Sequence, residues 1–248
     1  MDRSRLSIGL PGATPHGILE ALAPQIEAAG FHALWLNDTP GGDALAGLAV
    51  AAQVTSSLVL GTGVIPLDRR PATGILAALD GLPPDRLMLG IGTGAAKRGL
   101  TLIEESVAEL RDGTTASIIV GALGPKTRAL GARVADGLLL NWLTPEAAAI
   151  QRAELVETAD ASTPAILYVR TALAADALPA LRAEAARYGG YPSYAANFER
   201  IGATPLETTI QELGRVSDYL AVVDELVLRV ITREPTLAEY ERFLTTLQ

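Results

Sequence analysis

No cysteine occurs in the 248-residue chain. Disulfides, thiolate nucleophiles and thiolate-bound zinc are thereby excluded, and a reducing, cytoplasmic setting is the expectation. Aromatic residues are scarce at 4%. No apolar run reaches membrane-spanning length, and MDRSRLSIGL runs straight into a strand-like segment without a signal-peptide core. Positive charge is in deficit, with a formal net charge of −8, which argues against a nucleic-acid binder. The expected partner is a small-molecule substrate, with neither nucleic acid nor membrane involved. A homodimer is the assembly considered.

What is abundant is small and aliphatic. The chain is 49% hydrophobic, mostly Ala, Leu, Val and Ile, which suits helices packed on a parallel sheet buried on both faces. Strand-like runs alternate with amphipathic segments. Leu6 to Leu10, FHALWLND, LVLGTGVI, RLMLGIG, ASIIVGAL, GLLLNW, PAILYVRTAL and ELVLRVI read as strands. Between them the spacing predicts helices over 14–29, 43–54, 70–80, around Leu100 to Leu110, and over 125–135 and 145–158. A longer helical stretch covers 176–188, YPSYAANFERIG and 206–213, and a last helix covers 236–247. Eight such alternations in one chain predict an α/β fold of the (β/α)8 barrel type, a single domain over residues 1–248. A doubly wound open sheet is the rival, but it leaves the final strand and helix unexplained.

Active sites of such barrels lie at the C-terminal ends of the strands, and this rule sorts the polar residues. His32 precedes a strand and reads as structural. His16 follows the first strand on the functional face, as a pocket residue or as an ordinary helix start. GALGPK, from Gly121 through Ala122, Leu123, Gly124 and Pro125 to Lys126, joins a strand to a helix whose first N–H groups would face a ligand. A glycine at 124 permits close approach and a φ above zero. GIGTGAAKRG repeats the design with Gly92, Thr93, Gly94, Lys97 and Arg98, and DRR contributes Arg69 and Arg70. With Arg128, these cations predict an anionic, phosphate-bearing ligand; the plainer reading is turn chemistry and solvated charge. Asn37, Asn141, Trp142 and Arg170 end strands on the same face. Arg170 calls for an anionic partner. Trp142 suits either a pocket wall or the core. Tyr188, Tyr191 and Tyr194 suit a short lid over the mouth or simple packing. Arg229 faces either the mouth or a buried acid.

AGFHALWLND, LVLGTGVI, DRRPA, LPPDRLMLGIGTG, GALGPKTRALGARVADGLLLNWLTPE and YPSYAANFERIG, in this order, resemble the bacterial luciferase-like family. More narrowly, they resemble its coenzyme F420-dependent oxidoreductases, the branch that includes methylenetetrahydromethanopterin reductase. The resemblance implies a barrel that binds F420, or alternatively FMN, at the strand ends and passes hydride to or from an organic substrate. It implies a bulge in the third strand at Gly63, Val64 and Ile65 that backs the ring, often with a non-prolyl cis peptide. It places the phosphate side of the cofactor at the Gly92–Lys97 loop and the GALGPK turn. It sets Asp38, next to Asn37, near the reactive part of the ring. His16, Asn141, Trp142, Arg170 and Tyr191 would then line the substrate pocket. The chain departs from the family pattern in having Asp38-Thr39 where Asp-His is common. It has Gly94-Ala95-Ala96 where related dehydrogenases carry a glutamate, and the family insertions look trimmed. Three functions follow as alternatives: an F420- or FMN-dependent oxidoreductase of the monooxygenase-like family, a binding barrel with little turnover, and a phosphate-substrate isomerase or aldolase. No strand-end lysine or carboxylate pair supports the last.

Overall fold

A computed structural model describes residues 3–158 and 163–247. A single turn of 3-10 helix leads into β1 (Leu6–Pro11), α1 (His16–Ala28), β2 (Ala33–Asn37) and α2 (Ala44–Val54). The third barrel stave is broken into β3 (Val59–Thr62) and β4 (Ile65–Pro66), followed by α3 (Ala72–Leu76). Then come β5 (Leu87–Gly92), α4 (Gly99–Gly113), β6 (Ser117–Gly121), α5 (Pro125–Val134), β7 (Gly137–Asn141) and α6 (Pro145–Thr158). The chain continues through β8 (Ala165–Thr171), α7 (Leu178–Gly189), α8 (Pro192–Ile201), α9 (Arg215–Leu220), β9 (Glu225–Val230) and α10 (Leu237–Thr246). All pairings between these strands are parallel, in the order β3-β2-β1-β9-β8-β7-β6-β5-β4, and a β3–β5 pairing closes the ring. With β3 and β4 as two halves of one stave, this is an eight-staved, single-domain α/β barrel.

Alternation along each strand divides the apolar residues between two cores. The larger lies between staves and helices. The inner one is built on Trp35, Ile119, Leu139, Ile166, Tyr168 and Val227. Two of the few aromatics thus fill the barrel, and glycines give them room. A Cβ on Gly61 would lie 2.4 Å from the Trp35 ring, and one on Gly9 would lie 3.0 Å from the Tyr168 hydroxyl.

At the floor, Glu225 points into the barrel from the start of β9. It accepts hydrogen bonds from Ser7 Oγ (2.6 Å) and Trp35 Nε1 (2.7 Å), with His32 Nε2 at 3.8 Å. Burial pushes its pKa up. His32 thus serves the structural end. Beside it, the Glu27 carboxylate accepts from the amides of Ser56, Ser57 and Leu58 and from the Ser57 hydroxyl. Against the upward push of burial, these donors pull its pKa from 4.5 down to about 2.

Two expectations for the helices need correction, and one helix is additional. The helix expected over 70–80 spans only Ala72–Leu76, because the following amides of Ala78 and Leu79 bond three residues back and Gly81 turns left-handed at φ 76°. Residues 206–213 are not one helix. The hydroxyls of Thr208 and Thr209 bond back to the carbonyls of Pro205 and Leu206, and Ile210 instead runs alongside Thr171 in a parallel bridge. The short α9 that follows was not foreseen; it buries Val216 and Tyr219.

Candidate active site

A cavity of about 520 Å³ opens at the C-terminal ends of the strands, between two unlike walls. The first is backbone. Gly92 at the end of β5 with Thr93 and Gly94 beyond it, and Gly121 at the end of β6 with Ala122 to Gly124 and Thr127 of α5, line it. Gly94 has φ 56°, and a Cβ there would lie 1.8 Å from Asp68 Oδ1, while Asp68 Oδ2 accepts from the Ala95 amide at 2.9 Å. Glycine is therefore required at 94. Gly124 differs from expectation: its φ is −99°, and a Cβ would meet no protein atom within 4 Å. The turn does not need a glycine there; the space beside it is open. The first N–H groups of α5, at Lys126 and Thr127, have no acceptor among the described residues, and only Arg128 N turns back to Gly124 O (3.0 Å).

Between β3 and β4 the Gly63–Val64 peptide is cis, so the expected bulge is present. Its Val64 side chain crosses β5 and β6, where a Cβ would lie 2.8 Å from it at Gly92 and 2.7 Å from it at Gly121. Those strand-end glycines make room for the bulge. Gly63 and Val64 line the cavity. Ile65 does not; it is fully buried in the outer core.

The opposite wall is side chain: Arg170 from β8, Tyr188 from α7, and Ser193, Tyr194, Ala196 and Arg200 from α8. Asn37, Leu139 and Asn141 form the base of the cavity, and Asp38 and Thr39 complete the edge. Arg170 is the expected buried cation, and it has the acid it needs. Its Nε lies 3.1 Å from Glu184 Oε1, and Nη1 donates to Asn141 Oδ1. Its guanidinium carbon stacks 4.2 Å from the centre of the Trp142 ring and 4.7 Å from that of Tyr188. Arg229, its neighbour in register, points to the mouth and donates from Nε to Asn37 Oδ1 at 3.3 Å. Beneath them Tyr168 is held protonated: burial, opposed by Arg229 and Arg170, pushes its pKa up to about 12.

Asp38 is nearly buried and 3.1 Å from Arg69 Nη2. Burial raises its pKa, with Arg70 and Arg69 opposing. Its carboxyl therefore keeps a proton to higher pH than an ordinary aspartate. The expected cluster of anion-seeking cations is largely spent on acids. Arg69 also donates to the Asp38 carbonyl (2.8 Å), Arg70 forks onto Asp43 (2.7 and 3.0 Å), and buried Arg128 pairs with Glu154 (2.7 Å). Lys97, Arg98, Pro125 and Lys126 are exposed and lie outside the cavity lining.

Three pocket expectations also fall outside the lining. His16 is exposed at the start of α1. Trp142 is buried behind Arg170, with φ 53°. Tyr191 is the outermost ring of the aromatic cluster and 46% exposed. Tyr188 and Tyr194 both pack and line, so the two readings of that cluster are combined. Thr127, Glu184 and Arg200 were not singled out in advance. Ser193, Ala196 and Arg200 share one helical face of YPSYAANFERIG, a signal that becomes readable only once α8 is placed against the barrel.

Residues 5–112 match the luciferase-like monooxygenase family. No curated protein matches the chain by sequence. Solved structures share its fold at low identity. A coenzyme F420-dependent tetrahydromethanopterin reductase from Methanopyrus kandleri is 14% identical with a TM-score of 0.69, over 90% of this chain and 92% of that one. An F420-dependent secondary alcohol dehydrogenase in complex with an F420-acetone adduct is 12% identical with a TM-score of 0.73, over 98% and 99%. A type II Baeyer-Villiger monooxygenase, the oxygenating constituent of 3,6-diketocamphane monooxygenase of Pseudomonas putida with FMN, is 12% identical with a TM-score of 0.70, over 96% and 95%. Residues 5–112 are thus similar in sequence to the luciferase-like monooxygenase family, and nearly the whole chain shares the fold of these solved structures.

Proposed function

We propose that the protein is an oxidoreductase that binds coenzyme F420, with FMN as the alternative, in the strand-end cavity and acts on a small organic substrate. The observation that carries this reading is the asymmetry of the cavity. One wall is backbone glycine with free amides, and the other is aromatic and cationic. A volume of about 520 Å³ falls within the usual range for small-molecule sites. The residues fit a phosphorylated, planar cofactor. The Lys126 and Thr127 amides and the Thr127 hydroxyl would hold the phosphate at the positive end of α5. Gly63 and Val64 would back the ring. When bound, such a group supplies the hydride chemistry. The chain itself binds, orients and excludes water, with Tyr188 and Tyr194 as cover, and Asp38 is the titratable carboxyl at the edge of the site.

A second reading, a binding barrel with little turnover, is favoured by one observation: Asp38 is already engaged by Arg69. Titration with F420 and with FMN, followed by fluorescence and absorbance, tests cofactor choice. F420 is expected to bind more tightly, because exposed Lys97, Arg98 and Lys126 attract its charged tail, and the margin should shrink as salt rises. Tight FMN carried through purification, with no response to F420, reverses the order. Binding of both without turnover of any alcohol, aldehyde or ketone supports the second reading.

A further inference from the structure

We propose that the Arg170 corner of the cavity recognises a carboxylate on the substrate. This deepens the oxidoreductase reading by naming a substrate class, but it rests on charges and donors that are present without any cofactor.

Charge does not balance at the barrel mouth. Arg170 and Arg229 are 4% and 8% exposed, and the carboxylate paired with Arg170 is Glu184, whose side chain is 15% exposed. Two guanidiniums less one carboxylate leave one positive charge in a mostly dry place. Arg187 also approaches that carboxylate, at 3.8 Å, from the surface. Against burial, the charges of Arg229 and Arg170 hold the Glu184 pKa below its ordinary value, so it stays ionised and is the group they share. Asp38 does not join them, because it is engaged by Arg69. A buried cation without its own counter-ion is costly, and an incoming anion relieves that cost.

The donors point the same way. A guanidinium only donates, so Asn37 and Asn141 must turn their Oδ1 atoms to Arg229 and Arg170. Their Nδ2 groups are left as donors, and both side chains line the cavity. Nη2 of Arg170 makes no hydrogen bond among the described residues, and Arg170 lines the cavity as well. The corner therefore offers several N–H groups to a ligand. Its surroundings, Leu139, Val64 and the ring of Tyr188, suit the apolar body of an organic acid. An excess of one charge matches a carboxylate rather than a dianionic phosphate.

The test is calorimetric titration of the unliganded protein with benzoate and with benzamide, its uncharged isostere. Benzoate should bind saturably and at least about tenfold more tightly than benzamide. Arg170→Met should bring benzoate down to the benzamide level. Glu184→Gln removes the competing carboxylate and keeps the side-chain shape. It should tighten benzoate by roughly tenfold and leave benzamide unchanged. A purely structural ion pair predicts no such gain. Inorganic phosphate should fail to displace benzoate. The proposal is overturned if benzoate and benzamide bind alike, if Glu184→Gln leaves benzoate binding unchanged or weaker, or if phosphate competes at equal affinity, which would give the corner to the cofactor's phosphate. Should Arg170→Met not fold, Glu184→Gln and the phosphate competition still decide. Failure of the protein to bind F420 or FMN would sink the cofactor reading and leave this titration intact.

Discussion

Both ends of the barrel interior bury charged groups, and they treat them in opposite ways. At the floor, one carboxylate is met by donors already in place: Ser7, Trp35 and nearby His32 surround Glu225. At the mouth, Arg170 pairs with Glu184, Arg229 bonds only neutral oxygens, and two side-chain amides keep unused donors. Among the described residues, the floor carboxylate faces donors from the barrel itself, not a cavity. The mouth amides line one. A polar group that is fully paired inside the protein contributes to stability, and one left half-paired beside a cavity is available for binding. This separates the structural end of the barrel from the reactive end without reference to any relative.

Substitutions at the two ends should therefore fail in different assays. The largest effect is expected at the mouth. Asp38→Ala should lower turnover roughly a hundredfold, the usual scale for losing a positioned acid or base. Cofactor affinity and melting temperature should hardly move. Unchanged turnover would return Asp38 to the role of partner for Arg69. At the floor, Trp35→Phe keeps a ring and removes one donor from buried Glu225. Urea unfolding should show a loss of about 1–3 kcal/mol while benzoate and cofactor titrations stay as in wild type. Loss of binding with full stability would break the division between the ends.

Glu27 supplies a smaller, pH-dependent effect. Its folded pKa lies below the unfolded value, so its contribution is complete above about 4.5 and is lost as pH falls towards about 2. Glu27→Gln should cost about 1 kcal/mol near neutrality, and the gap in melting temperature between variant and wild type should close across that window. A gap that is constant with pH would mean that packing, not ionisation, holds the 56–58 turn. The smallest effect is expected for Lys126→Glu. Lys126 is exposed and outside the cavity lining, so cofactor affinity should fall by less than about threefold and recover in moderate salt. A tenfold loss that survives salt would mean that its side chain closes onto the phosphate.

The alternation of apolar runs was enough to read the barrel, because strand and helix periods are local properties. The glycine loops and the free end of α5 were also legible, whereas LVLGTGVI reads as one strand and its break at Gly63–Val64 was expected only from the family resemblance. What could not be read was the direction of long side chains. Arg69, Arg70 and Arg128 have the right address for an anion site, yet each finds a carboxylate that is distant in sequence or on another element. Glu184 and Arg200 come from helices whose inward faces depend on how α7 and α8 pack. Trp142 looked equally suited to pocket and core; its left-handed backbone turns the ring behind Arg170. The 206–213 segment carries a helix-like apolar pattern, but it makes only one 3-10 turn, Leu206–Thr208, before its threonine hydroxyls bond back and Ile210 pairs beside Thr171.

The scarcity of tryptophan has a spectroscopic consequence. The chain has two, Trp35 and Trp142. Trp35 donates to the floor carboxylate, and Trp142 lies against the guanidinium at the mouth. Each end of the barrel therefore carries its own fluorophore in a distinct electrostatic field. Emission from a Trp35→Phe protein reports the Arg170 corner alone, and emission from a Trp142→Phe protein reports the floor. Events at the open end and melting of the closed end can be followed separately in one unlabelled molecule.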